Sequence, residues 1–321
     1  MKNVTAIGEL LIDFIPKQKG SALRNVTDFE RVAGGAPANV AAAVARLGGS
    51  SAMISQVGRD AFGEYIIETL QKNGVDTQYV FTTDRANTGL AFVSLTADGN
   101  REFSFFRNPS ADLYLEPAQI TPAMFADCAA LHFCSVDLVD WPVKRAHAAA
   151  IAQARAAGAF ISFDPNVRLP LWPDAAACQA AIREFLPAAD LIKLSDEEVA
   201  FVTGCADERE AARQLFAGGC KLLLVTKGAN GSAVYTPSAA VTCPPIRVEH
   251  VVDTTGAGDS FIGSFLYQLV RDGVTGADLA GLPADALQKY LQFSARYASL
   301  TVQRKGADMA DLGEMKAVWG V

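Results

Sequence analysis

The sequence predicts an α/β protein: a mostly parallel sheet with helices on both faces, and a small β-sheet appendage in its first third. Three observations predict it. From residue 130 onward, short apolar runs alternate with longer helix-periodic stretches, as βαβ units require. Residues 90–95 and 101–106 instead alternate with period two around Ala97-Asp98-Gly99-Asn100, a hairpin signal. Glycine-rich turns also stand directly after several strands, where α/β sheets place ligands.

Residues 4–7 read as a short buried strand, and residues 10–15 continue extended past Glu9. A helix of small and apolar residues spans 38–47, and Gly48-Gly49 stops it. A strand over 52–57 precedes an amphipathic helix over 60–73 that ends at Gly74. The later strands are 131–134, 160–163, 191–194 and 222–226, separated by helices over 143–157, 175–186 and 208–217. Residues 261–270 and 284–300 supply the closing helices. No repeat, low-complexity tract or long linker divides the chain, so a single domain over 1–321 is expected. The appendage draws on parts of 10–33 and 79–110. Its alternate phenylalanines need cover, from the body or from a second copy of the chain.

A chain of 321 residues, half of them hydrophobic and a fifth charged, can bury a core of one large or two modest domains. The formal net charge of −7 argues against nucleic acid or an anionic membrane as the main partner. Six cysteines without a C-x-x-C pair, and only three histidines, argue against zinc and for a reducing compartment. The N-terminus lacks a signal-peptide pattern and no apolar run reaches spanning length, so a cytoplasmic location is expected. There is no G-x-x-x-x-G-K-[ST] loop, no G-x-G-x-x-G after the first strand and no G-x-S-x-G elbow.

The most informative segment is Asp253-Thr254-Thr255-Gly256-Ala257-Gly258-Asp259, which runs into the apolar stretch from Phe261. Such a turn presents backbone N–H groups and the positive end of a helix to an anion, with the Asp259 carboxylate at its lip. That pairing suits phosphoryl transfer to a hydroxyl, with amides holding charge and a carboxylate taking the proton. A tight turn with an acidic helix start is the plainer alternative for the last four residues alone.

Three further segments follow strands. In Gly34-Gly35-Ala36-Pro37-Ala38-Asn39, paired glycines let backbone approach a ligand closely, unless they merely form a turn and cap. Asp164-Pro165-Asn166-Val167-Arg168 sets three polar side chains after a buried strand. They must meet a ligand or each other, or else lie in a surface turn. Thr226-Lys227-Gly228-Ala229-Asn230-Gly231 could cradle phosphates or ribose, although a plain hairpin is the stronger reading. Ser195-Asp196-Glu197-Glu198 is either a capping box or an acidic site for Mg2+ through water.

Together these segments resemble the ribokinase-like (PfkB) carbohydrate kinases over essentially the whole chain, and within them the fructokinase branch. Gly34 to Asn39 matches the family's N-terminal signature and Asp253 to Asp259 its C-terminal one. Phe105-Phe106-Arg107-Asn108-Pro109-Ser110-Ala111-Asp112 and the stretch from Asp164 to Pro173 are similar to fructokinase segments. The resemblance implies a ribokinase-like fold whose β appendage is a lid, often used for dimerisation. It implies an ATP-dependent kinase for a primary hydroxyl of a ketohexose, most simply fructose to fructose 6-phosphate. Asp259 would be the base, and the amides of Gly256, Ala257 and Gly258 the anion hole.

The resemblance also implies the binding residues. Asp13, Gly34, Gly35 and Asn39 would hold sugar hydroxyls, with Arg107 and Arg168 near the sugar or its phosphate end. Asn166, Lys193, Ser195, Thr226, Lys227, Gly228 and Gly231 would lie along the nucleotide, together with Gly256 and Gly258. Glu198 would support Mg2+ through water. Asp253 and Thr255 match positions that hold a monovalent cation such as K+ in many relatives. Ser195 departs from the family's N-x-x-E asparagine, and Lys227 stands where many relatives carry leucine. Rival acceptors within this chemistry are 2-keto-3-deoxygluconate and aminoimidazole riboside or another nucleoside. A sugar-binding protein without turnover is the reading from another class.

Overall fold

The computed structural model describes residues 2–18, 20–95 and 101–320. Along the first half, β1 (Asn3–Ile7), β2 (Leu11–Pro16) and β3 (Phe29–Gly34) lead into α1 (Ala36–Arg46). Then come β4 (Ser51–Gly58), α2 (Ala61–Lys72), β5 (Asp76–Thr83), β6 (Gly89–Leu95) and β7 (Arg101–Phe106). The second half runs β8 (Cys128–Cys134), α3 (Pro142–Ala156), β9 (Phe160–Asp164), α4 (Ala175–Phe185) and β10 (Leu191–Ser195). It continues through α5 (Asp196–Thr203), α6 (Glu208–Ala217), β11 (Leu222–Thr226), β12 (Ser232–Tyr235) and β13 (Ala240–Cys243). The helices α7 (Ala257–Arg271), α8 (Ala284–Thr301) and α9 (Leu312–Trp319) close the fold.

Among the described residues the large sheet has the order β13-β12-β11-β10-β9-β8-β1-β4-β5, parallel except for the β11-β12-β13 edge. The chain winds outward from β1 to β5 and then from β8 to β11 on the other side. Right-handed crossovers therefore send the helices of the two arms to opposite faces. On one face Val40 and Val44 of α1 and Phe265 of α7 pack against Val4, Phe160, Leu191 and Leu222. On the other, Val143 of α3, Ile182 of α4 and Val199 of α5 pack against Phe133, Phe163 and Ile192. The direction of winding reverses between β1 and β8.

The small sheet has the order β3-β2-β6-β7. Of the 79–110 stretch only β6 and β7 join it; residues 79–83 pair in parallel with β4 in the large sheet. The hairpin turn expected at 97–100 lies outside the described residues. Phe14 stacks on Phe92 at 4.8 Å, and Phe62 of α2 meets Phe14 edge-on at 5.8 Å. The body thus supplies cover for this aromatic face.

Two helices start earlier than their apolar periodicity suggests. α1 begins at Ala36 because Pro37 fits the first turn, where its missing N–H costs nothing. α7 begins at Ala257, so Asp259 is its third residue and not a lip before it. Among the described residues no helix is long and apolar enough to cross a membrane.

Candidate active site

In an open α/β sheet, ligands bind beyond the carboxyl ends of the strands where the winding reverses. Here that crevice lies beyond β1 and β8. The loop after β3, the loop after β9, the end of β10 and the start of α7 all converge on it.

Gly256 is the N-cap of α7 at φ 74°, a left-handed conformation that only glycine takes without strain. A methyl group there would also lie 2.7 Å from the Ala307 β-carbon. Ala257, Gly258 and Asp259 fill the first turn, whose amides have no intrahelical acceptors. Such a turn can seat an anion, and here it has a carboxylate built into it. Asp259 accepts a 2.8 Å hydrogen bond from the side-chain amide of Asn39, in the first turn of α1. The Asp259 side chain keeps some accessible surface, yet protein surrounds it. Burial raises its pKa to about 6, against the Asn39 hydrogen bond and with further upward push from Asp164. A base with that pKa is ionised at neutral pH and still basic enough to take a hydroxyl proton.

Lys193, in β10, and Asp164, at the end of β9, form a buried ion pair at 2.9 Å. Burial alone would lower the Lys193 pKa, but the Asp164, Glu198 and Asp259 carboxylates together hold it above the ordinary lysine value. A methyl group at Gly258 would lie 3.0 Å from the Lys193 ammonium, so this fixed positive charge touches the anion turn. Asp164 answers the sequence-level problem of polar residues after a buried strand: its partner is Lys193.

Glu198 holds the neighbouring loop. Its two oxygens accept from the backbone amides of Val167 at 2.7 Å and Ser195 at 2.8 Å, and Ser195 Oγ accepts from the Glu198 amide. The capping box expected at 195–198 is therefore present. Asn166 adopts φ 45°, a conformation asparagine tolerates, and its amide donates to Asp164 Oδ1. Arg168 Nη1 donates to the carbonyl of Val167, and the guanidinium is close enough to Asp259 to favour its ionised form.

On the small sheet, Asp13 of β2 is half-buried, and a methyl group at Gly34 would collide with its carboxylate. Gly35 has φ 119°, and a methyl there would lie 2.2 Å from the Glu9 carbonyl oxygen. Only glycine can make this passage from β3 into α1. Asp13, Gly34, Gly35 and Asn39 thus lie on one continuous passage from β2 and β3 into α1.

Several expected ligand contacts have other partners. Lys227 Nζ lies 3.0 Å from Glu208 Oε2, which also accepts from Tyr235, so α6 holds the ammonium. The segment containing Gly228 and Gly231 is a hairpin turn between Thr226 at the end of β11 and Ser232 at the start of β12. Gly231 is there because a side chain would strike the Cys243 carbonyl. Asp253 accepts from the amides of Thr255 at 2.8 Å and Gly306 at 2.9 Å, clasping the anion turn to the 302–307 loop. Arg107, expected near the sugar or its phosphate end, has its Nη2 shared between Asp112 and Asp137 in the interior. A cavity of about 690 Å³ bordered by Phe105, Trp141 and Trp172 does not include Asp259 in its walls.

A profile of the pfkB family carbohydrate kinases matches residues 1–311. The chain belongs to the pfkB family of carbohydrate kinases. It is therefore a phosphotransferase acting on a sugar hydroxyl. It is 43% identical to Fructokinase-2 of Solanum habrochaites over 305 residues, 95% of this chain and 91% of the relative. Among solved structures, the fructokinase of Xylella fastidiosa with bound ATP is 36% identical at a TM-score of 0.88. That match covers 98% of this chain and 97% of the other. The fructokinase of Vibrio cholerae O395 in its fructose, ADP and calcium ion bound form is 32% identical at a TM-score of 0.87, covering 99% and 98%.

Sequence reasoning missed Gly263. A methyl group there would lie 2.7 Å from Ala43 Cβ, so this glycine lets α1 and α7 approach until Asn39 reaches Asp259. A glycine inside a helical pattern is the signal for such a contact. It also missed Glu9, Asp112 and Asp137. The carboxylate that breaks an apolar run at Glu9 was the available sign.

Proposed function

We propose that this kinase transfers the γ-phosphoryl group of ATP to the primary 6-hydroxyl of fructose. The observation that carries the proposal is the Asp259 carboxylate in the first turn of α7, oriented by Asn39 and backed by the Lys193 ammonium. The 6-oxygen attacks the γ-phosphorus as its proton passes to Asp259, the bond from phosphorus to the β-bridging oxygen breaks, and ADP leaves. The amides of Gly256, Ala257 and Gly258, joined by that of Asp259, and the charge of Lys193 stabilise the negative charge that spreads over the transferred group. The fructose-bound Vibrio relative and the curated plant fructokinases support fructose as acceptor.

Mg2+ fits this donor set in one mode. No cluster of three metal-binding side chains occurs among the described residues, and Mg2+ usually keeps waters and binds phosphates with one or two carboxylates. Glu198, through water, is the residue that would hold it, and the ion would neutralise phosphate charge. A monovalent cation near Asp253 and Thr255 belongs to the same proposal, tested by activity in K+ against tetramethylammonium.

Six unpaired thiols fit a reducing, cytoplasmic compartment. Phe106, 61% exposed at the edge strand β7, supports pairing of two copies through the small sheet, which light scattering tests. ADP release measured across fructose, 2-keto-3-deoxygluconate, ribose and nucleosides tests the acceptor. A preference for any acceptor other than fructose would refute it.

A further inference from the structure

The chain passes between the two sheets four times, and the four passages meet at one buried ion cluster. Glu9 lies on the first passage, from β1 to β2, and its Oε1 accepts from the Ala36 amide at 2.9 Å, where the second passage enters α1. Gly89 opens β6 on the third, and a methyl group there would lie 3.1 Å from Arg107 Cγ. Arg107 itself is the first residue after β7, on the fourth. Its Nη2 bonds Asp112 and, at 2.6 Å, Asp137 just beyond β8. Glu9, Arg107, Asp112 and Asp137 are each less than one-tenth exposed.

An ion cluster is not the cheapest filling for such a junction, since apolar side chains of similar volume are often at least as stabilising. This one is also incompletely bonded. Glu9 Oε2, Arg107 Nε, Asp137 Oδ2 and the nearby Ser135 Oγ are buried without partners. Three carboxylates face one guanidinium, and burial raises the Glu9 pKa to about 7. Three carboxylates around one guanidinium offer the cation more than one pairing, as an element that changes its setting needs.

We propose that the Glu9–Arg107–Asp112–Asp137 cluster is the pivot on which the small sheet, with Asp13 and Gly34, is set over Asp259. Glu9 and Arg107 are then positioning residues for phosphoryl transfer. The pivot rests on geometry, and only its consequence for turnover rests on the function proposed above.

Hydrogen exchange and steady-state kinetics on Arg107→Lys test it. Amides of β2, β3 and β6 should exchange at least about tenfold faster while β8 to β11 keep their protection. The kcat/KM for fructose should fall at least about tenfold with the KM for ATP within about twofold. Exchange that is unchanged, or that rises equally in both sheets, overturns the pivot. If Arg107→Lys does not fold, Glu9→Gln, which keeps an acceptor for Ala36, carries the same test with the same readings. A wild-type protein inactive on every sugar would refute the function, and the exchange result would still decide the pivot.

Discussion

The side-chain amide of Asn39 donates to Asp259 across 220 residues of sequence, joining the first turn of α1 to the first turn of α7. The bond does two things at once. It aims the carboxylate, and it favours the ionised form that burial opposes.

That balance fixes a pH dependence. Only ionised Asp259 can take the hydroxyl proton, so kcat/KM for the sugar should fall as pH drops through about 6. Removing the Asn39 donor strengthens the carboxyl's hold on its proton. In Asn39→Ala the acidic limb should therefore move to higher pH. A pH–rate profile in which it stays or moves down would contradict this assignment.

Asp259→Asn should lower kcat by at least about 10²-fold, the low end for a positioned base, with sugar affinity little changed. The same change should stabilise the fold. The native pKa of about 6 exceeds the ordinary aspartate value of 3.8, so ionisation is penalised only in the folded state. The penalty is absent below pH 3.8, grows through pH 6 and is then constant, at roughly 3 kcal/mol. Denaturant titrations at pH 8 should show Asp259→Asn more stable than wild type. A variant as stable as wild type at pH 8 would mean that the carboxylate is not desolvated.

How far the sequence foretold this site follows from what each signal records. Strand–helix alternation and the Asp253–Asp259 string are local, and the fold class and the anion turn were legible from them. The start of α7 was placed four residues late because Gly256, Ala257 and Gly258 carry no apolar periodicity, although their backbone is already turning into the helix. Lys193 could be marked as polar in an apolar strand, but its pairing with Asp164 depends on β9 and β10 being neighbours. The Lys227 pairing is hidden for the same reason: the carboxylate that holds it comes from α6, nineteen residues earlier. Arg107 needed the ends of β7 and β8 brought together before Asp137 could be seen as its partner.

Gly263 sets the distance on which Asn39 depends. A valine there would drive branched carbons into Ala43 and the Val40 carbonyl, which would lie only 2.7 and 2.9 Å from its β-carbon. The overpacking should cost roughly 1–3 kcal/mol and move α1 away from α7. In Gly263→Val the denaturation midpoint should fall, and the acidic limb should shift upward as it does in Asn39→Ala. A destabilised variant with an unshifted limb would show that the Asn39 contact survives the separation of the helices.

The Lys193–Asp164 pair makes a prediction that separates charge from packing. Asp164→Asn keeps the shape and the oxygen that the Asn166 amide needs, but leaves a buried ammonium without its nearest counter-ion. Stranding a charge in this way costs about 3–5 kcal/mol. Adding Lys193→Met removes the stranded charge and retains most of the side-chain volume, so the double variant should recover most of the lost stability. Activity should not return, because the positive charge beside Gly258 is then gone from the anion turn. Equilibrium denaturation and ADP release on the single and double variants check both halves. If stability and turnover recovered together, the lysine would be a structural counter-ion for Asp164 with no part in holding the transferred phosphoryl group.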